Sequence, residues 1–376
     1  MDQELKEKKS GSKVAILLLV LGIIIIGGGL YFYFFKKDNN VFETYITKSA
    51  DYLEKNVVNT LDSEGKIGLS FNLNTNDEEL KDTVNLLNKI KIDSSYQVDF
   101  TNKKMYIGLD STYDNKELLK GSLYLENSYL YFNLNNITDK YYKSDKIDEY
   151  DKLFSTNTNT TDLKKSIDSY KNILLNNLDK ATIEKENVTL NNKKVLKTTL
   201  IVTEEFNKSI QDELLKNKDL INSLSKLENV DTSEIETKLK EGNLVGSKVI
   251  IYTSGSNFVR LETIEGNNVT TIDKENDTYK IEIKESDNQP VKVDVTVKNN
   301  DISLVIYLSD DNLTGSLSLS FSKNKLDKLT SVNIKDVSNF SDIDEEEMHA
   351  IFEKIGKNEG VSALITEINK LFGLSE

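Results

Sequence analysis

Cysteine is absent from this chain of 376 residues, and proline and histidine occur once each. Without cysteine the protein can form no disulfide bond, no thiolate-bound zinc site and no cysteine nucleophile. A lipoprotein anchor is excluded as well, because no thiol is present to be acylated. With His349 as the only histidine, a multi-histidine metal site is impossible, and a Ser-His-Asp triad would have to use this one residue.

Arginine is nearly absent too, since Arg260 is the only one and almost every basic residue is lysine. Arginine is the preferred residue for bidentate contacts to phosphates and base edges. The formal net charge is -14 at pH 7. We therefore expect no nucleic-acid partner, and the acidic balance mainly favours solubility.

Sequence motifs of catalysis and metal binding are also missing. The chain has no GxSxG, no phosphate-binding glycine loop and no zinc-protease helix motif, and its Asp- and Asn-rich turns lack the spacing of a calcium loop. Four acidic residues, 344–347, precede His349, but acidic side chains are expected where a helix begins. We predict no catalytic residue, no metal ligand and no cofactor. Two facing carboxylates would meet in space and not in sequence, so a hydrolase stays a third alternative.

An uncharged segment, residues 14–35, follows a lysine-rich start. At about 1.5 Å rise per residue this length crosses a hydrocarbon core of about 30 Å, which predicts one transmembrane helix. The lysines before it favour a cytoplasmic tail, residues 1–13, and a large domain on the outer side of a bacterial cell membrane. A cleaved signal peptide is the alternative, although no small-x-small site follows the segment. The predicted anchor residues are Val14, Leu18, Ile24, Leu30, Tyr31, Phe35, Lys36 and Lys37.

The remaining chain alternates between helical spacing and strict two-residue alternation. Helices are predicted near 42–57, 77–90, 163–178 and 206–224, with a capping box at Ser233 and Glu236, and two more close the chain. Short strands separated by Asn- and Gly-containing turns fill 92–135 and most of the chain after Lys248. This pattern predicts an α+β fold of curved antiparallel sheets covered by helices. We expect two halves, 38–158 and 159–376, which resemble a duplicated half-barrel unit.

One stretch, SLYLENSYLYFNLNNITDKYYKSD at 122–145, orders an aromatic-rich strand between two others. This order resembles the LolA-like and LppX-like extracytoplasmic lipoprotein carriers. The resemblance implies a half-open barrel around helices that shelters an apolar cavity for acyl chains. This chain differs from those carriers because it has a predicted spanning helix and no cysteine that could carry a lipid. The resemblance implies an apolar ligand wall formed by Tyr124, Leu130, Phe132, Leu134 and Tyr142.

Two functional hypotheses follow from topology, strand pattern and missing motifs. The first is a membrane-anchored, non-enzymatic binding module of the cell envelope that holds a lipid or another apolar ligand. The second is a structural or protein-interaction ectodomain whose partner is an envelope protein recognised through strand edges or the terminal helices. The shape and lining of the space next to the sheet would separate them.

Overall fold

The computed structural model describes a predominantly β protein, in which the described residues form 17 strands, joined and flanked by helices. The predicted α+β class, curved sheets covered by helices in a possibly duplicated half-barrel unit, is therefore wrong, because strands dominate the described residues. The described residues are 41–54, 62–135, 137–138, 140–148, 150, 154, 160–228, 230–286, 288–310, 312–332 and 337–371.

The chain folds into two compact units, and each unit is made of two separate segments. Unit 1 is drawn from Met1–Asn59 and Asn157–Glu275, and unit 2 from Thr60–Thr156 and Asn276–Glu376. This grouping differs from the two consecutive halves expected from the sequence. The difference arises because strands from the start and the end of the chain pair with each other in unit 2.

Unit 1 contains an antiparallel sheet of five strands in chain order. Each strand pairs with the next one along the chain, so the sheet is a meander interrupted by helices after its second strand. The strands are β7 Thr182–Leu190, β8 Lys193–Ile201, β9 Lys248–Ser254, β10 Asn257–Glu265 and β11 Asn268–Glu275.

The core of unit 1 combines helix and strand residues that are almost fully buried. Ile251 and Leu261 on the strands and Ile221 on a helix have among the smallest exposed fractions of the described residues. The helices of this unit contact one another, and their buried side chains recur at helical spacing, as predicted. They are α1 Val41–Leu53, α3 Thr160–Asn177, α4 Glu204–Lys216, α5 Lys218–Glu228 and α6 Thr232–Glu241.

Unit 2 contains the longer run of paired strands. Its first strand pairs on one side with the following strand and on the other side with a strand from near the chain end. From one end to the other, the pairings give the order β12, β13, β14, β15, β1, β2, β3, β4, β5, β6, β17. The strands are β1 Ser63–Thr75, β2 Ile90–Asp99, β3 Lys104–Tyr113, β4 Lys116–Glu126, β5 Tyr129–Leu134, β6 Tyr141–Lys143, β12 Thr278–Lys284, β13 Val291–Lys298, β14 Asp301–Ser309, β15 Leu313–Ser322, β16 Asn324–Lys325 and β17 Val337–Asn339.

Among the described residues of unit 2, the α-helices with given bounds are α2 Glu78–Asn88, α7 Glu345–Lys357 and α8 Glu359–Leu371. Helix α2 begins at the N-cap Asp77, whose carboxylate accepts the Glu79 amide, and it packs against β1. Helix α8 packs against β3 and β4. The two C-terminal helices were predicted from their apolar spacing and are present.

The predicted tight turns are confirmed by their backbone angles. Positive φ values occur at Lys103, at Asp114 and Asn115, and at Asn127 and Ser128. These residues connect the four consecutive antiparallel strands β2 to β5. Hairpin turns need positive φ at their central residues, and Asn and Asp adopt it at low cost, which is why the turn positions were readable.

Two helix boundaries differ from their predictions. The helix expected at 206–224 is two helices, because Asn217 has φ −83° and ψ 82° and ends α4, while its side-chain oxygen accepts the Leu220 amide at the start of α5. The capping box predicted at Ser233 is absent, since α6 begins at Thr232 with Asp231 as its N-cap residue. Tertiary packing moved both boundaries without changing the apolar faces of the helices.

None of the helices in the described part of the chain combines the length and the apolar character needed to cross a bilayer. The predicted localisation was a single-pass membrane protein with an extracytoplasmic domain. For the residues that the structure describes, this prediction is wrong. The predicted anchor, residues 14–35, lies outside the described residues.

Candidate functional site

One face of the unit 2 sheet is apolar across ten neighbouring strands. Because residues paired across an antiparallel ladder point to the same side, the register identifies the members of this face. Ile67 pairs with Phe321 on β15, for example, and Phe321 pairs with Ile302 on β14. We call this surface, from β12 to β6, the apolar face. Its apolar members include Tyr279, Ile281, Ile283, Val291, Val293, Val295, Ile302, Leu304, Ile306, Leu308, Leu317, Leu319, Phe321, Ile67, Leu69, Phe71, Leu73, Ile92, Tyr96, Met105, Ile107, Leu123, Leu125, Leu130, Phe132 and Tyr142.

The apolar face is covered at one end, where Leu125 forms a buried cluster with Tyr150 and Phe154 against which Met105 and Leu130 pack. It is more open over β12 to β15 and β1. On strands β12 to β15 and β1 the buried members are Tyr279, Val295 and Leu73, and the others are half-buried or exposed. The exposed fractions of the most open ones are Ile67 42%, Ile283 36%, Val291 49% and Leu308 38%. A contiguous exposed apolar patch on a folded protein usually marks a binding surface.

The opposite face of the same strands is polar. On β15 it presents Ser316, Ser318 and Ser320, and on β13 it presents Lys292 and Asp294. In the described strands from β12 to β3, no charged residue falls on the apolar face at the ladder positions that define it. At the start of β4, Lys116 pairs with Tyr113 at the edge of this face. The alternation that predicted half-buried strands therefore also separates two chemically different surfaces.

An aromatic pair marks the middle of the apolar face. The rings of Tyr96 and Phe321 stack at a centroid distance of 5.6 Å and an interplanar angle of 11°. They lie on β2 and β15, on either side of β1. Between them, Gly65 of β1 has no side chain that would separate the two rings. The Tyr96 hydroxyl donates to the Ser322 carbonyl at 3.0 Å, so this ring is fixed in its place.

At the β5 end, the apolar face continues into an open groove of about 420 Å³. Leu130 and Phe132 form its floor, and their register partners Leu125 and Leu123 lie on the apolar face. Phe340 forms a side wall, half exposed, with its ring centroid 5.4 Å from that of Phe132. The remaining lining residues are Ile147, Ser144, Asp145 and Ser341.

The groove wall that carries Phe340 is attached through helix α7. Glu347 of that helix accepts a hydrogen bond from the Tyr142 hydroxyl at 2.8 Å and pairs with the Lys140 ammonium group at 2.6 Å. Strand β17 lies parallel to β6 directly before Phe340. The ion pair and the hydrogen bond keep the pKa of Glu347 below its ordinary value, while burial and this bond raise the pKa of Tyr142 to about 12.

The loop that leads into β6 is held by hydrogen bonds from a side chain of strand β5. The buried Asn133 amide donates to the carbonyl oxygens of Lys140 at 2.7 Å and Thr138 at 3.2 Å. Ile137 of the same loop is buried. These hydrogen bonds place Lys140 and Tyr142 where they contact Glu347. Nothing in the sequence indicated this role, because Asn133 is one of many asparagines.

The predicted ligand wall divides between the two faces of the sheet. Leu130, Phe132, Leu134 and Tyr142 lie on the apolar face by register, and Leu130 and Phe132 also line the groove. Tyr124 instead pairs with Tyr131 on the opposite face, with ring centroids 6.1 Å apart. Burial raises the pKa of the Tyr124 hydroxyl above its ordinary value.

Unit 1 contains a charged network that the sequence did not indicate. Arg260 donates two parallel hydrogen bonds to Asp273, at 2.6 and 2.8 Å, and a third to Glu262 at 3.2 Å. Tyr252 donates to the second Glu262 oxygen at 2.9 Å. These contacts join three neighbouring strands, and Asp273 is the main cause of the raised pKa of the guanidinium group. A guanidinium group can donate two parallel hydrogen bonds to one carboxylate, and a lysine ammonium group cannot. This difference gives a physical reason for an arginine at this position of a lysine-rich chain.

His349 and the acidic residues before it form no metal site. Asp344 caps helix α7, since its carboxylate accepts the Glu347 amide at 2.7 Å, as a helix start predicts. His349 is exposed on the same helix. Within the described ranges, no group of three or more His, Asp or Glu side chains is placed to hold a metal ion.

Comparisons with known proteins identify no family. No protein-family model matches the chain, and no curated protein matches it. Among solved structures, intact Ap-TbpB with its N and C lobes aligns over 70% of this chain and 77% of its own, at 9% identity and a TM-score of 0.13. A variant of the vaccine antigen transferrin-binding protein B from Haemophilus parasuis Hp5 aligns over 70% and 76%, at 10% identity and the same TM-score. Likeness at this level carries no conclusion about fold or function.

Proposed function

We propose that this protein is a non-enzymatic binding module that holds an acyl-chain ligand against the apolar face of unit 2. The observation that carries the proposal is the uncharged part of the apolar face over β12 to β15 and β1, most of it half-buried or exposed. Covering such a surface with an apolar ligand is favourable by roughly 25 cal/mol per Å² removed from water. At about 4.8 Å between strands and about 3.3 Å per residue along them, these five strands offer a surface of roughly 19 by 26 Å, which is room for an acyl chain.

The chemistry of the face favours an acyl chain over a polypeptide. Backbone N–H and C=O groups of the inner strands are used in the ladders on both sides, and the side chains at the defining positions carry no charge. A polypeptide lying on this surface would bury its own backbone polar groups without partners, which costs free energy. An acyl chain has no such groups.

Strand addition is the alternative mode of binding, through the edge of unit 1. Within the described chain β7 pairs with β8 on one side. However, Glu184, Lys185 and Glu186 place three successive charges on β7, and charged edge strands discourage the addition of another strand. A protein-interaction module is therefore the weaker proposal.

The test compares two substitutions at neighbouring positions on opposite faces of β14. Leu308→Asp puts a carboxylate on the apolar face, and Ser309→Asp puts the same charge on the polar face; both positions are exposed. We expect Leu308→Asp in the full-length protein to weaken binding of dodecyl maltoside, measured by calorimetric titration below its micelle concentration, by about tenfold. Ser309→Asp should leave it unchanged.

Thermal unfolding of both variants shows whether the fold is retained. Equal affinity of Leu308→Asp, Ser309→Asp and the unchanged protein would contradict binding at this face. A folded protein that binds no amphiphile at all would contradict the function itself.

A further inference from the structure

The groove at the β5 end differs from the rest of the apolar face, because one charged group lies at its margin. Of the described residues that line the groove, Asp145 is the charged one, and it is exposed. Ser144 and Ser341 are the other polar lining residues, and the Ser144 hydroxyl donates to the Asp145 carbonyl at 2.7 Å. The mouth of the groove therefore carries a negative charge.

The nearest lysines along the chain do not neutralise this charge inside the groove. Lys140 is paired with Glu347, and the Lys143 ammonium lies 3.6 Å from the centroid of the Tyr129 ring. Lys143 is the register partner of Tyr131, so it points to the sheet face opposite to Phe132. Lys146 does not line the groove. With a net charge of -14 for the whole chain, the groove attracts cations and repels anions.

Two aromatic rings line the same groove as Asp145. Phe340 is half exposed and meets Phe132 edge-on at an interplanar angle of 61°. An exposed aromatic face attracts an organic cation, and quaternary ammonium groups are recognised by aromatic side chains in this way. A groove lined by an acidic residue and two phenyl rings offers both the charge and the apolar contact that an alkylammonium group requires.

We propose that the groove between Phe132, Phe340 and Asp145 binds the quaternary ammonium head of an amphiphile whose alkyl chain lies on the adjoining apolar face. This inference rests on the proposed function and names the class of ligand at one end of the face. A carboxylate-headed chain is disfavoured by repulsion from Asp145. A neutral head gains the apolar contacts alone.

Three probes with the same alkyl chain separate these contributions: dodecyltrimethylammonium, dodecyl maltoside and dodecanoate, with choline as a head group without a chain. At an effective dielectric constant near 20, one charge pair at the mouth corresponds to roughly a tenfold preference or more. We expect the full-length protein to bind the ammonium amphiphile at least tenfold more tightly than dodecanoate, and choline more weakly than the amphiphile.

Asp145→Asn should reduce the ratio of ammonium to carboxylate affinity to about threefold or less. Asp148→Asn is the matched control, because it removes the same charge three residues away at an exposed position outside the groove lining. An unchanged ratio in Asp145→Asn, or an equal fall in Asp148→Asn, would overturn the assignment of Asp145. Choline binding as tightly as the amphiphile would overturn the role of the chain.

The outcomes also separate this inference from the function on which it rests. Equal affinities for the three head groups, with dodecyl maltoside still bound and still sensitive to Leu308→Asp, would overturn the head-group preference alone. Failure of dodecyl maltoside to bind would instead overturn the proposed function and this inference with it.

Discussion

The Tyr142 hydroxyl donates a hydrogen bond of 2.8 Å to Glu347, a residue 205 positions later in the chain. Through this bond strand β6 holds helix α7, and helix α7 follows the turn that carries Phe340. The same carboxylate pairs with Lys140 at 2.6 Å. One glutamate thus connects the floor of the groove to its wall, and the connection depends on the charge states of both partners.

Glu347 makes stability dependent on pH at the acid end. Its folded-state pKa lies below the unfolded value of 4.5, so its contribution is present above about pH 4.5 and is lost as the pH falls through the folded pKa. We predict that Glu347→Gln lowers the unfolding temperature at pH 7. It should also flatten the fall in stability between about pH 5 and pH 3.

Glu346→Gln serves as the control, because it removes a first-turn charge of the same helix without touching Tyr142. Thermal unfolding across that pH range checks both variants. Identical profiles for the two variants would show that the contacts of Glu347 contribute nothing specific.

Tyr142 makes stability dependent on pH at the alkaline end. Its pKa is raised from 10.0 to about 12, so its contribution is present below about pH 10 and is lost as the pH rises towards 12. In Tyr142→Phe we predict a shallower loss of stability over this interval, measured by chemical denaturation at each pH. Curves that superimpose on those of the unchanged protein would refute this contribution. Raised pKa values of other tyrosines, such as Tyr124, leave a residual slope in the variant.

Gly65 is required by the close approach of two strands. A Cβ at this position would lie 1.7 Å from the Ser322 carbonyl oxygen and 2.9 Å from the Tyr96 ring. Gly65→Ala should therefore destabilise the protein by about 3 kcal/mol or more, because backbone atoms must move. Equilibrium denaturation measures this change.

Gly356 is the matched control for that substitution. No atom lies within 4 Å of a Cβ at this position in helix α7. Gly356→Ala should stabilise the helix by up to about 1 kcal/mol. An effect of Gly65→Ala as small as this would mean that β1 and β15 are not as close as described.

Arg260 should not be replaceable by lysine. Arg260→Lys keeps the charge but loses the two parallel hydrogen bonds to Asp273, and we predict a loss of about 1 to 3 kcal/mol. A double-mutant cycle with Asp273→Asn checks the pairing, since the two changes should be strongly non-additive. Additive effects would show that the fork does not stabilise the sheet.

Much of the local structure could be predicted from the sequence, because it depends on neighbouring residues. The strict alternation of KIGLSFNLN, residues 66–74, is enough to put Ile67, Leu69 and Phe71 on one side of a strand, as they are in β1. Asparagine-containing turns located the hairpins between β2 and β5. Of the predicted ligand wall, Leu130 and Phe132 line the groove. Tyr124 pairs with Tyr131 on the other face, so the five residues, which were chosen by type, do not all share one side of the sheet.

The non-local part of the site could not be predicted in this way. Phe340 approaches Phe132, and Glu347 approaches Tyr142, because β17 lies beside β6. Nothing in the local pattern of either segment specifies that pairing. The cost of closing a long loop depends only weakly on its length, so many partners for a strand are compatible with the same local signals.

The sequence by itself determined where strands, turns and helices form and which side chains of each strand share a face, because these properties follow from a period of two or 3.6 residues. Only the tertiary structure decided that β15 lies beside β1 and that two interleaved segments build each unit. It also decided that ten apolar strand faces align into one surface. Pairing between distant strands is selected by the packing of the whole chain, which no local period contains.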